Sequence, residues 1–258
     1  MLARVLTASV LIPVVLLVLY LGGPVFLIFL AFFALAATAE FARMLGFSLR
    51  TSLLASLVLG LPYFLNFYFA FIPWHVYFML YLLISASILF VFGYTRVSFL
   101  QGAGLIFGGL YVPVLASTLA LVRYLDDGML YTLAVLLLTW GTDSGAFFLG
   151  KALGKKKLAP AISPNKSWAG AVGGLITGVM IALAFGILMD GNVIHFALWG
   201  VIASAMCQIG DLAESAFKRH AGVKDSGSML PGHGGFLDRI DSLLFTATIS
   251  YIFFGMVI

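Results

Sequence analysis

The chain has 258 residues, 62% of them hydrophobic and 9% charged, with a mean hydropathy of +1.12. Soluble domains carry roughly 25% charged residues, so a water-soluble globule is excluded and an integral membrane protein is expected. The formal charge of +4 comes from basic residues near the ends of apolar runs, the pattern of membrane topology rather than of nucleic-acid binding.

A helix needs about 20 apolar residues to cross a bilayer core of about 30 Å. Nine such stretches follow one another at 3–21, 24–45, 52–71, 74–94, 103–123, 130–150, 168–189, 193–212 and 240–258. They are apolar all round and lack the alternation of a transmembrane barrel, so the predicted fold is all-α and polytopic, with about nine transmembrane helices. The first stretch has one basic residue, Arg4, before its apolar run. It is too long for a signal peptide and has no small-x-small cleavage site, and is read as a retained span.

The first four spans, within 1–102, carry little chemistry and are expected to form a scaffold. Glu40 and Arg43, three apart, are read as a pair near a helix end, and His75 falls in a loop. The unusual polar features fall in 103–258, the candidate functional region, with cytoplasmic loops expected at 151–167 and 214–239. Cys207 is the only cysteine, so no disulfide forms within the chain.

Basic residues favour the cytoplasmic side of a membrane. A cytoplasmic N-terminus puts Arg4, Arg43, Arg50, Arg96, Lys151, Lys155, Lys156, Lys157, Lys166, Lys218, Arg219, Lys224 and Arg239 on that side. Only Arg123 falls on the other, beside Asp126 and Asp127. Nine spans then leave the C-terminus opposite the N-terminus.

The sixth span contains TWGTDSGAFFLGK, with Asp143 near its inner end. An ionisable group there must face protein, water or a cation, which makes it a functional candidate beside the reading of a hydrogen-bonded structural aspartate. GAFFLGKA, from Gly145 to Ala152, lacks the hydroxyl residue of a phosphate-binding loop and lies in a membrane helix, so it is not one. The polar insertion that follows ends in SPNKSWAG. Ser163, Asn165, Lys166 and Ser167 gather donors before a helix N-terminus, which suits an anion, although a helix cap also explains a serine there. The seventh span then carries small residues at Gly170, Gly174, Gly178, Ala182 and Gly186. This stripe allows close helix packing and is compatible with a homo-oligomer.

The densest charge lies in SAFKRHAGVKDSGSMLPGHGGFLDRID, residues 215 to 241. Asp211, Glu214, Ser215 and Lys218 share one helix face, and Asp238 and Asp241 share another. Glycines between them allow backbone amides to close on an anion, and Lys218, Arg219, Lys224 and Arg239 add cationic donors. Carboxylates in a basic pocket suit a divalent cation bridging a polyphosphate, whereas two histidines without a cysteine do not make a usual zinc site. A solvated, salt-bridged loop explains the same composition.

At these residues the sequence resembles the phosphatidate cytidylyltransferases, or CDP-diacylglycerol synthases. The resemblance runs through Ser215, Phe217, Lys218, Arg219, Lys224, Asp225, Gly227, Leu230, Pro231, His233, Gly234, Gly235, Phe236, Asp238, Arg239, Ile240 and Asp241, with SPNKSWAG and GTDSGAFFLGK also similar. It covers about the last half of the chain. Ala169 stands where an acidic residue is common, so no carboxylate role is carried over there.

The resemblance implies transfer of a cytidylyl group from CTP to phosphatidic acid, giving CDP-diacylglycerol and pyrophosphate. It implies Mg²⁺, a second cation being compatible, with Asp211 and Asp238 as first-choice ligands, Asp241 close by and Asp143 as an outer ligand. Lys166 and Lys218 are the candidate catalytic cations. Substrate contacts are expected from Ser163, Asn165, Lys166, Ser167, Ser215, Arg219, Lys224, His233, Gly234, Gly235 and Arg239. His233 either binds phosphate or nucleotide or hydrogen-bonds within the loop. The expected location is a bacterial inner membrane with the site facing the cytoplasm. The competing readings are another membrane lipid phosphotransferase and an ion-coupled transporter. The transporter predicts acids near the midplane and two related halves, which this sequence lacks.

Overall fold

The computed structural model describes residues 2–229 and 234–256, and among them nine α-helices. They are α1 (Leu2–Leu21), α2 (Gly23–Met44), α3 (Leu49–Phe69), α4 (Trp74–Ala86), α5 (Phe99–Arg123), α6 (Gly128–Leu153), α7 (Trp168–Leu188), α8 (Val193–His220) and α9 (Leu237–Met256). A π-helical segment, Ser87–Phe92, continues α4. With that continuation, seven helices, α2 to α8, are long and apolar enough to cross a membrane. The chain is thus an all-α polytopic membrane protein. In α1 the apolar part described is Ser9–Leu21, and α9 opens on Asp238, Arg239 and Asp241.

Local chemistry sets several helix starts. Ser48 caps α3 by accepting from the amide of Thr51, and Ser98 forms a capping box with Gln101 at the start of α5. Asn192 accepts from the amides of Ile194 and His195 to cap α8. As the shared face of Asp211, Glu214, Ser215 and Lys218 implies, α8 continues beyond its apolar stretch and runs to His220. Ala213, Glu214, Ala216 and Lys218 are good helix formers, so the helix outlasts its apolar part.

The polar insertion after α6 is a small antiparallel hairpin, which the sequence reading did not anticipate. Its strands are β1 (Lys157–Ala159) and β2 (Ser163–Ser167), with Lys157 opposite Ser167 and Ala159 opposite Ser163. Ser167 ends the hairpin and caps α7, accepting from the amide of Gly170 at 3.2 Å.

The helices pack in a continuous series in which α6 meets α7, α7 meets α8, α8 meets α9, α9 meets α5, α5 meets α2 and α2 meets α3. Trp199 and Phe196 of α8, Leu138 of α6 and Leu244 of α9 are fully buried in the interior. The Trp199 indole donates to Ser250 at 2.9 Å, which satisfies its N–H away from water. All five small residues of the α7 stripe are buried. A Cβ on Gly174 would stand 2.8 Å from the Thr142 carbonyl oxygen in α6, and one on Gly186 would stand 2.9 Å from Phe196 in α8. The stripe therefore serves contacts within the chain, with α6 and α8 filling it. Outward-facing side chains such as Met79, Phe92, Phe147 and Ile187 suit contact with lipid.

Candidate active site

The hairpin, the C-terminal halves of α6 and α8, and the start of α7 border a cavity of about 600 Å³ that carries several charged side chains. Its wall includes Asp143, Lys151, Lys157, Asn165, Lys166 and Asp211. Lys166 reaches from β2 to pair with Asp211 of α8 at 2.8 Å. This contact joins SPNKSWAG to the acidic face of α8. Ser167 lines the same space, whereas Ser163 does not.

A second cavity, about 330 Å³ and largely apolar, lies between α1, α2, α5, α6 and α9. Phe29, Phe33, Leu119 and Leu136 line its apolar part, and Asp143, Asp238, Arg239 and Asp241 line its polar part. Asp143 thus borders both cavities. Its carboxylate is open to them and also accepts a weak contact from the Cys207 thiol, with Sγ 3.7 Å from Oδ1. Arg239 is exposed, and its side chain makes no hydrogen bond or ion pair with any described residue, so its guanidinium is available to a ligand.

Asp238 has a different environment. Its Oδ1 pairs with Lys218 at 2.6 Å. Its Oδ2 accepts from the amide of Ser226 at 3.0 Å, the Ser226 hydroxyl at 3.0 Å and the amide of Gly235 at 2.8 Å. Lys218 also pairs with Glu214, whose side chain is 1% exposed. Gly234 beside them has φ +78°, and a Cβ there would approach Asp238 Oδ2 to 2.6 Å. Glycine is needed at that position for both reasons.

The four expected carboxylates are thus not drawn into one cluster. Among the described residues, no three His, Cys, Asp or Glu side chains stand close enough together to hold a metal ion. Mg²⁺ asks for only one or two carboxylates, with water and phosphate oxygens completing its shell. Asp143 and Asp211, on one wall of the polar cavity, fit that demand. Asp238 does not in this arrangement, because four donors already occupy its two oxygens. Asp241 lines the apolar cavity near Asp143 and accepts from the amide of Ser242 at 2.7 Å.

The remaining expected contacts divide similarly. Ser215 is buried and donates to Asp211 at 3.4 Å, so it supports a carboxylate. Arg219 donates to the carbonyl oxygens of Ile162 and Val223, both at 3.1 Å, and so ties the hairpin to the turn after α8. Lys224 is exposed and lines neither cavity. His233 lies outside the described residues.

Two residues escaped the sequence reading, and a third has other partners than expected. Gln208 lines the polar cavity and donates to the Ala171 carbonyl at 3.2 Å. Its signal was its position, since Ser204, Gln208, Asp211 and Ser215 lie on one face of α8. Ser226 stood in the glycine-rich loop without a distinguishing mark. The pairing of Glu40 with Arg43 is corrected, because Glu40 accepts from the Ser226 hydroxyl at 3.0 Å and the amide of Leu237 at 2.9 Å. Those donors lie 186 and 197 residues away along the chain.

Comparison with known proteins agrees with this geometry. The Cytidylyltransferase family matches residues 2–257. The phosphatidate cytidylyltransferase of Haemophilus influenzae is 46% identical over 157 residues, 55% of this chain and 54% of that protein. Those of Staphylococcus aureus and Staphylococcus haemolyticus are 39% and 36% identical over 254 and 253 residues, and each alignment covers 94% of both chains. With a polar, lysine-lined cavity and an apolar one meeting at a single aspartate, and a match along nearly its whole length, the chain belongs to the cytidylyltransferase family.

Proposed function

We infer that the chain transfers a cytidylyl group from CTP to phosphatidic acid, forming CDP-diacylglycerol and pyrophosphate. Family membership and the names of the relatives support the reaction. The observation that carries the assignment of parts is the meeting of two unlike cavities at Asp143. A nucleoside triphosphate suits the lysine-lined cavity, whose volume lies within the usual range for small-molecule sites, about 300–1,000 Å³. Acyl chains suit the apolar one.

A phosphatidate phosphate oxygen attacks the α-phosphorus of CTP, a new P–O bond forms, and the bond to the bridging oxygen of the β-phosphate breaks to release pyrophosphate. The nucleophile is already anionic, so the residues here need not abstract a proton from it. Their work is to position the reactants and stabilise charge, which dominates phosphoryl-type transfer. Lys157 and Lys166 of the hairpin and Lys151 near the end of α6 would face the triphosphate, and Arg239 of α9 would face the lipid phosphate. Lys218 fixes Asp238 beside it. A divalent cation such as Mg²⁺, held by Asp143 and Asp211, would neutralise phosphate charge. Basic residues near the helix ends support a cytoplasmic site and a cytoplasmic N-terminus, and the bacterial relatives support a bacterial inner membrane.

Purified protein given CTP, phosphatidic acid and Mg²⁺ is expected to release pyrophosphate and form the liponucleotide. EDTA should stop the reaction, and added Mg²⁺ should restore it. Undiminished turnover in EDTA would remove the metal from the account, and absence of product under all conditions would remove the transfer.

A further inference from the structure

Glu40 is the only Asp or Glu before Asp126 in the chain, and it is 3% exposed. A buried carboxylate in a largely apolar helix is unfavourable for stability, since an apolar side chain would fill the space without desolvating a charge. Its contacts all lead to one place. Oε2 receives the amide of Leu237 and the hydroxyl of Ser226, on the two sides of the glycine-rich loop. Gly227 and Gly235 pack so closely that a Cβ on either would overlap the Glu40 carboxylate. Phe236, between Gly235 and Leu237, sets its ring edge-on to Phe32 and Phe33 of α2, with centroids 5.7 and 5.1 Å away.

The same loop residues serve Asp238. Ser226 donates through its amide and Gly235 through its own amide to Asp238 Oδ2, and the Ser226 hydroxyl lies 3.0 Å from both Asp238 and Glu40. A hydroxyl carries one proton, so it serves one carboxylate at a time while the backbone amides hold both. Glu40 grips the loop from α2, and Asp238 grips it from α9 with Lys218 behind. Neither Glu40 nor its partners line the lysine-rich cavity.

We propose that Glu40 is a positioning residue of the transfer, holding the loop between α8 and α9 so that Asp238, Lys218 and Arg239 keep their places at the lipid-phosphate side of the site. The proposal rests on the cytidylyl-transfer reading above. It assigns to the helices before 103 a part in the chemistry beyond scaffolding.

Two measurements test it. In steady-state assays Glu40→Ala removes the acceptor, and kcat should fall about thirtyfold, the effect of stranding buried donors, while KM for CTP stays within about threefold. Glu40→Gln keeps an acceptor oxygen in the same place and should recover most of the lost kcat. In detergent, trypsin should cut after Lys224 about tenfold faster in Glu40→Ala than in wild type, with Glu40→Gln again close to wild type and Ser226→Ala in between. A wild-type kcat in Glu40→Ala, a loss confined to KM for CTP, or a Gln variant as poor as the Ala variant would each overturn the proposal. So would unchanged proteolysis. If Glu40→Ala does not fold, Ser226→Ala carries both arms with a smaller expected effect. A wild-type protein that forms no liponucleotide would sink the functional reading instead, and the proteolysis arm would then decide separately whether Glu40 holds the loop.

Discussion

Asp211→Asn is expected to lower turnover at saturating CTP and phosphatidate by at least about a hundredfold while leaving the protein folded in detergent. The Asp211 side chain is 34% exposed and its main contact is the ion pair with Lys166, itself 23% exposed. A partly exposed pair of this kind contributes no more than about 1 kcal/mol, so the fold tolerates its loss. The loss to catalysis is larger because the carboxylate lies on the cavity wall where phosphate and cation would meet. Asp143→Asn should behave in the same way, since its carboxylate is open to both cavities. Asp238→Asn should not. An amide there would turn an NH₂ group toward Lys218 or toward the donors of Ser226 and Gly235, so this variant should lose stability as well as turnover. Turnover together with unfolding in detergent separates the three. An Asp211→Asn variant with wild-type turnover would remove that residue from the site.

Replacing Lys218 by methionine should produce the largest loss of stability. Its ammonium lies between Glu214 and Asp238, with side-chain exposures of 12%, 1% and 7% for Lys218, Glu214 and Asp238. Removing one partner of a buried ion pair leaves uncompensated charge and typically costs about 3–5 kcal/mol. Here two carboxylates would be stranded, and the Asp238 network that holds Ser226 and Gly235 would loosen with them. Adding Glu214→Gln to Lys218→Met should recover part of the stability, because one of the stranded charges is then gone. Thermal unfolding in detergent checks both variants. An unchanged unfolding temperature in Lys218→Met, or no recovery in the double variant, would contradict this account of the buried triad.

The sequence made the membrane fold legible because bilayer thickness imposes long apolar runs. The starts of α4, α7 and α8, at Trp74, Trp168 and Val193, stand where those runs begin. The α7 stripe was legible too, because four-residue spacing on a helix is a local rule. Less visible was anything that depends on distant partners. The Glu40–Arg43 spacing suggested a local pair, yet Glu40 is claimed by Ser226 and Leu237 from the far end of the chain. Asp238 and Asp211 looked equivalent as acids at helix ends. Lys218 and three loop donors occupy Asp238, while Asp211 faces a cavity. The hairpin was hidden by its composition, since prolines, lysines and serines between two helices read as a plain loop. Its role in closing the polar cavity emerges only when Lys166 reaches Asp211.

The central claim is that the α-phosphorus of CTP is the atom attacked and that phosphatidate is the attacker. Position-specific labelling of CTP tests it most directly with the purified protein in mixed micelles of phosphatidic acid. Label at the α-phosphate should enter the lipid fraction in equal amount to the pyrophosphate released, and label at the γ-phosphate should leave entirely in pyrophosphate. Lipid carrying the γ-label would mean phosphorylation rather than cytidylyl transfer, and an unlabelled lipid fraction in both experiments would contradict the account altogether.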